Sequence, residues 1–442
     1  MFSLLKRHIT ILIFVASLCF FSFGYGVLVG AFEFFPYDFL NSAYDAYTAL
    51  KERNKLYSDE VYLRKSTYQS GGVTIWDQNR AFNGLTFLTL FKAKHFTASL
   101  IDMNGDEVHS WDVAYSQVWP KAKHLIFQAP DGAICIHGAH LYPNGDIVLS
   151  FGSGNFPYGG GLVKIDKNSH ILWSINENTH HDVNLDDDGN IWACAHYLHS
   201  TRDERFPLME PPFLEDYVLC ASPSGKVIKR ISMLEAIYRS GREGMLFANG
   251  GNELYPGKGD YGDRLHLNNV EVLGKGLAGK FPEFNVGDIL VSFRNIDTIA
   301  VIDTNTQMIK WSLTGLFLRQ HDPDFLPNGN IMVFDNRKDD HGGRIFGGSR
   351  VIEIDPLTQR IAWSYEGSKD KPFCSLIRSK QSILPNGNFL LVESEKGRVF
   401  EVTFDKEKRI VWEYVNKVKV GFVGVITQAD RHPREWYTFL SK

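Results

Sequence analysis

Cysteine is scarce: Cys19, Cys135, Cys194, Cys220 and Cys374 are the five in 442 residues. No two form a short-spaced pair, so the spacing describes no disulfide framework, and the last four read as small buried residues of strands. Basic residues are not in excess. Lys and Arg number 47 against 51 Asp and Glu, a formal net charge of -4, which argues against a nucleic-acid partner. Low-complexity tracts are missing. So is a clear small-x-small cleavage motif at the end of the N-terminal apolar run, which would mark a removed signal peptide.

That N-terminal run is uncharged from Ile9 to Phe32 and follows Lys6, Arg7 and His8. A membrane-crossing helix needs roughly 20 apolar residues, and the run suffices. Positive charge before it, with Glu33, Asp38 and Asp45 after it, puts the N-terminus in the cytoplasm and the rest outside. The expected division is a cytoplasmic stub at 1–8 and a transmembrane anchor at 9–35, then a juxtamembrane helix and linker at 36–77 and one large domain at 78–442. Pro36 suits the first turn of the short helix. The expectation is a single-pass membrane protein whose large domain is periplasmic or extracellular.

The large domain reads as short strands and turns. Asn144-Gly145, Asp188-Gly189, Asn328-Gly329 and Asn386-Gly387 are hairpin signals between apolar runs. Each is followed by a second signature, an Asp-turn-strand ending in Trp: Asp166 to Trp173, Asp303 to Trp311, Asp355 to Trp363 and Asp405 to Trp412. Asp102 to Trp111 is the earliest, and Ser222-Pro223-Ser224-Gly225 fills the place without Trp. Two hairpins make four strands, which is a propeller blade. The expected fold is all-β, a six-bladed propeller after one transmembrane helix, with blades near 84–113, 137–175, 181–233, 266–315, 320–367 and 377–416. The first blade lacks an inner Asn-Gly hairpin, and a C-terminal strand around Val423 to Ala429 is expected to complete it. A two-sheet sandwich also has many short strands, but it rarely repeats a unit of about 50 residues. Tryptophan at the blade ends is expected to pack between blades.

Histidine falls into the same repeat. His137, His181 and His321 each stand eight positions before a turn glycine, Gly145, Gly189 and Gly329, and His266 opens a similar segment with an insertion before Gly287. Repeats closed into a ring carry equivalent residues to equivalent places around one axis. Counting back from two-residue turns sets His321 opposite Asn336, His181 opposite His196, His137 opposite Gly152 and His266 opposite Arg294. The four histidines and Arg294 are therefore expected at one channel mouth, with Asn268, Asn336 and His196 close by. Taken singly, a strand histidine is more often a hydrogen-bonded structural residue; the shared register is what makes these a site. His124, His170, His199, His341 and His432 fall outside the register. Asp182 and Asp322 follow their histidines directly and are expected on the other strand face.

Imidazoles can hold a transition metal. A nearby Arg repels a cation, however, and metal sites commonly include a carboxylate or thiolate. The planar guanidinium fork suits phosphate or sulfate oxygens. The residues read as an anion-handling site with a histidine nucleophile or base, with no metal or cofactor.

Four segments sharpen this: Thr179-His180-His181-Asp182, His266 to Leu273, Ser292 to Asp303, and Gln320-His321-Asp322-Pro323 with Phe334-Asp335-Asn336. Together, over roughly residues 84–416, they resemble the bacterial PAPS-independent arylsulfotransferase family. The resemblance implies a propeller that moves a sulfuryl group from a phenolic sulfate ester to a phenolic acceptor, ping-pong, through a sulfohistidine. It implies His321 as nucleophile, with His181, His266 and Arg294 in support and Arg294 with protonated His181 or His266 holding the sulfuryl oxygens. The register adds His137, His196, Asn268 and Asn336 as substrate-binding candidates. This chain departs from the family in having a membrane helix and short linker in place of an N-terminal β-domain and cleaved signal. Insertions at 274–286 and 338–349 lie where substrate could enter. The competing readings are a non-catalytic propeller, anchored in the membrane, that binds an anion or a protein, and a metal-dependent hydrolase or lyase.

Overall fold

The chain is seen in a computed structural model that describes residues 2–32, 34–37, 39–40, 43, 47 and 61–440, the last range without 67, 93, 126–128, 154–157, 249–261, 339–342, 344 and 369–371. It forms two units, 1–57 and 58–442.

The first unit is a helix, Phe2–Phe32. Over Lys6–Phe32 its mean hydropathy is 2.3, long and apolar enough to cross a membrane. The helix stops three residues short of the expected anchor end at 35. Most of the expected juxtamembrane helix lies outside the described residues.

The second unit is built of antiparallel sheets. Four follow one another along the chain, each with its strands in order. The first of these holds Ile134–Leu141, Ile147–Ser153, Gly159–Ile165 and Ile171–Ile175. The next holds Thr179–Leu185, Ile191–His199, Phe213–Ala221 and Val227–Ser232. Leu267–Val272, Ile289–Phe293, Thr298–Asp303 and Met308–Thr314 make the third. His321–Phe325, Ile331–Asp335, Arg350–Asp355 and Arg360–Tyr365 make the fourth.

Two further sheets borrow a strand from the far end of the domain. Leu85–Lys92, His95–Ile101 and Glu107–Trp111 gain the C-terminal strand Ile426–His432 beside Leu85–Lys92. Gln381–Ile383, Phe389–Glu393, Arg398–Val402 and Ile410–Val415 gain Gly72–Trp76 on the outside. A seventh sheet is small: Leu63–Lys65, Phe422–Gly424 and Lys417–Lys419. The described residues thus form seven sheets where six were expected, and two stretches of the expected linker, 63–65 and 72–76, are strands. The linker expectation missed them because a three-residue and a five-residue strand are too short to show a period.

Neighbouring sheets are keyed by tryptophan. Trp111 donates its indole N–H to the Gly145 carbonyl at 2.9 Å, Trp173 to Pro223 at 3.1 Å, and Trp311 to Pro356 at 3.0 Å. Trp412, in the sheet that ends near residue 415, reaches back to Met103 at 3.0 Å. Leu88 and Leu90 share one buried cluster with Leu390, Val392, Val399 and Trp412, so the chain's first and last large sheets have a common core. Each such buried aliphatic side chain contributes about 1.5–3 kcal/mol. The architecture is mostly β and propeller-like.

Candidate active site

The site is made by irregular backbone. Pairing between inner strand and neighbour slips at the same level in four sheets: at His137, at His181-Asp182, at Asn268, and at Asp322-Pro323. His181, His266 and Asp322 have φ of 54°, 54° and 53°. Non-glycine residues there cost about 1–3 kcal/mol each and persist where the surroundings hold them. A bulge re-aims side chains. As a result Asp322 and Asp182 do not turn away from the histidines, as strict alternation predicts, but meet in the channel.

Turn geometry shifts the register too. Gly329 donates its N–H to Leu326 at 3.0 Å and Leu326 to Asn330 at 2.8 Å, closing a three-residue loop where two were counted. Gly329 has φ of 90°. The extra loop residue and the bulge set His321 opposite Phe334, not Asn336. His181 sits in its bulge, and His196 pairs with Asp216 on the next strand. Arg294 N–H does donate to the His266 carbonyl, at 3.2 Å. His137 lies over Gly152, where a Cβ would come within 2.4 Å of its Nδ1.

The imidazoles gather nonetheless. Ring centroids are 4.7 Å apart for His137 and His181, 5.0 Å for His181 and His266, and 6.3 Å for His181 and His321. A small pocket is lined by His137, His181, Asn268, His321, Arg378 and Ser379, among others. His196 does not line it. It stacks on His180 at 4.9 Å in a second row behind the first. Tyr158 stands among these rings, 4.9 Å from His180, 4.8 Å from His196 and 4.9 Å from His266.

Hydrogen bonds set the tautomers. Asn336 donates its amide N–H to the carbonyls of Ser375 and Arg378 at 2.7 and 2.9 Å, which leaves its Oδ1 facing His321 Nδ1 at 2.7 Å. His321 therefore carries its proton on Nδ1 and its lone pair on Nε2. His181 N–H donates to His137 Nδ1 at 3.3 Å, so His137 is protonated on Nε2. His266 Nδ1 faces the buried Asp263 carboxylate at 2.5 Å.

Burial lowers the pKa of His321 well below its ordinary value, and the Arg294 charge lowers it further. Burial acts first on His137 and His181 too; Arg378 adds to it at His137, and the neighbouring imidazoles at His181. Of the two imidazolium candidates, His181 or His266, this lowering favours the neutral form at His181. Asp263 stays below the usual carboxylate range: burial raises it, but His266, His196 and Arg294 more than offset that.

Arg378, Ser379 and Lys380 were missed from the sequence. Arg378 Nε and Nη1 are buried with no hydrogen-bond partner. Arg378 and Ser379 have φ of 59° and 90°. A signal existed: Ser379 stands eight positions before Gly387, in the histidines' register, without an imidazole. Lys380 follows it as Asp182 and Asp322 follow their histidines, and Lys380 Nζ binds both carboxylates, at 2.6 and 2.7 Å. Beyond this tie lies a cavity of about 810 Å³ lined by Glu271, Asp324, Asp430, Arg431, His140 and His432, among others. The insertion 274–286 packs Phe281 and Phe284 against Trp311 and Phe325 at the turn end of its hairpin, away from His266 and Arg294. The insertion 338–349 lies partly outside the described residues, as does His341.

A mostly β, propeller-like scaffold thus carries buried histidines and Arg378 around one pocket, with Arg294 close enough to lower the pKa of His321. The chain belongs to the arylsulfotransferase family. A family profile described as Arylsulfotransferase (ASST) matches residues 138–417. That span takes in His181, His266, Arg294, His321 and Arg378 and stops one residue short of His137. Among curated proteins no sequence matches the chain. Among solved structures it is similar to a protein of unknown function from Bacteroides caccae, at 14% identity and TM-score 0.47, covering 79% of this chain and 98% of that one. It is also similar to the Dos1 propeller, at 10% and 0.39, covering 81% and 78%. A third is catalytically inactive virginiamycin B lyase from Staphylococcus aureus with quinupristin, at 9% and 0.37, covering 68% and 85%.

Proposed function

We propose that this chain is a membrane-anchored aryl sulfotransferase, independent of PAPS, in which His321 carries the sulfuryl group from a phenolic sulfate ester to a phenol. Six of the sheets serve as propeller blades, and residues 9–35 contain the anchor, with the N-terminus cytoplasmic and the propeller outside. The single observation that carries the reading is the His321–Asn336 hydrogen bond. It presents an Nε2 lone pair on an imidazole that burial and Arg294 keep neutral.

In the first half-reaction that lone pair forms an N–S bond while the ester S–O bond breaks. The electron pair leaves on the phenolate, which takes a proton from His266, oriented by Asp263. Arg294 and Arg378 neutralise the equatorial oxygens, which is most of what such a transfer needs. His137 and His181 supply neutral N–H donors, and Asn268 lines the pocket beside them. In the second half-reaction the acceptor phenol returns a proton to His266 and attacks sulfur. The N–S pair then goes back to His321.

His321→Ala should abolish transfer from p-nitrophenyl sulfate to a phenol, without added PAPS, in a protein that still folds. Mass spectrometry after donor alone should find about 80 Da, one SO₃, on a peptide containing His321, as transfer through a histidine requires. Full activity in His321→Ala, or an adduct elsewhere, refutes the assignment.

A further inference from the structure

Behind the pocket, three adjacent strands of one sheet turn His180, His196 and Asp216 toward each other. His196 and Asp216 are direct cross-strand partners, and His180 lies one strand further in. All three are buried. His180 Nε2, both nitrogens of His196 and Asp216 Oδ1 find no hydrogen-bond partner in the protein. The atoms they offer lie within 4.8 Å of one another, and His180 Nε2 is 3.9 Å from Asp216 Oδ1. Buried polar atoms are nearly always paired. One such atom from each of the three residues lies in a single buried cluster, and these three ask for something that satisfies them together.

We propose that His180, His196 and Asp216 form a site for one divalent first-row transition ion, with Zn²⁺ the reference case. Two neutral imidazoles and a carboxylate are a common donor set for such ions. Metal–ligand bonds of about 2.0–2.2 Å put tetrahedral ligands about 3.3 Å apart, so the His180–Asp216 pair closes by roughly half an ångström and no pair by more than about 1.5 Å. Asp216 is held for the purpose: its Oδ2 accepts the Leu267 N–H at 3.2 Å, leaving Oδ1 toward the histidines. The carboxylate that the histidine register lacks comes from a strand outside it.

The ion has a consequence for the pocket. His180 Nδ1 is 2.8 Å from His181 Nδ1. With its Nε2 on the ion, His180 keeps its proton on Nδ1 and donates it to His181, whose own proton then sits on Nε2. The ion positions His181 through His180 without touching substrate. This consequence rests on the transfer reading; ion binding itself does not.

The full-length protein in detergent, stripped with chelator and checked for folding by circular dichroism, is titrated with Co²⁺ and then Zn²⁺. One ion per chain is expected, with visible cobalt absorption that Zn²⁺ displaces. Asp216→Asn keeps the acceptor for Leu267 and should weaken binding at least about 100-fold, as should His196→Gln, since outer-shell changes alone cost 10–100-fold. His170→Gln, far outside the cluster, should bind normally. Binding no tighter than in Asp216→Asn, or unchanged in both variants, overturns the site. His321→Ala should bind the ion in full while losing transfer; an unsubstituted chain that binds the ion yet transfers nothing refutes the transfer reading and leaves the site standing. An activity–pH profile identical with and without the ion refutes the positioning role.

Discussion

Arg378 is the residue that most changes the picture of the pocket. Its guanidinium sits beside the Cys135 thiol and lowers the pKa of His137, and two of its nitrogens have no partner. Arg378→Lys should retain the fold and lose on the order of 10²-fold in kcat/KM, because a point charge does not replace a planar fork. Arg294→Lys should lose at least as much, since Arg294 acts directly on His321 and Asp263. Steady-state kinetics on the two variants decides both. Sequence spacing reached His181, His266, His321 and Arg294 because repetition is visible in letters. It did not reach Arg378, Tyr158 or Asp263, which enter the site through backbone turns that carry no period. His196 was in the counted register, yet an unforeseen bulge leaves it behind the pocket with His180.

At the scale of elements, the strand register was misjudged and the clustering was not. The three-residue loop at Gly329 and the slip at Asp322-Pro323 each moved the pairing, but the same irregularity recurs in four sheets, so equivalent residues still meet. Bulges leave no trace in composition, and so neither they nor the meeting of Asp182 with Asp322 was legible. That meeting is neutralised by Lys380, whose loss leaves two uncompensated buried carboxylates. Lys380→Met should destabilise the protein by about 3–5 kcal/mol near neutral pH and by less in acid, when Asp322, whose pKa burial raises to about 6, takes up a proton, as read by denaturant midpoints. Nearby Glu271 tests the sign of this. Burial, with Asp322 and Asp182, raises its pKa to about 8 although Phe325 N–H and Lys380 pull it down. The stability of its protonated form is present below its ordinary range and lost as pH rises through about 8. Glu271→Gln should therefore raise Tm at pH 8 and leave it unchanged at pH 4.

On the scale of the whole molecule, turn signals and the Asp-to-Trp signature were enough to foresee four-stranded units and the C-terminal strand that joins the first of them. The seventh sheet and the strand Gly72–Trp76 were not foreseeable, being short pieces defined by what they pair with. The proposed orientation is open to reporter fusions: alkaline phosphatase joined after residue 442 should be active, and a cytoplasm-only reporter silent. The tie of Lys380 to Asp182 and Asp322 bears on traffic through the molecule. Among the described residues lining the roomy side of the channel, Lys380 is held by those carboxylates and Arg431 is ion-paired with Glu401. Under the proposed transfer, donor and acceptor then share one door on the histidine side. For the proposed transfer a single door makes visitors queue: the spent phenol would leave before the next phenol enters, and the group in transit would wait on the protein.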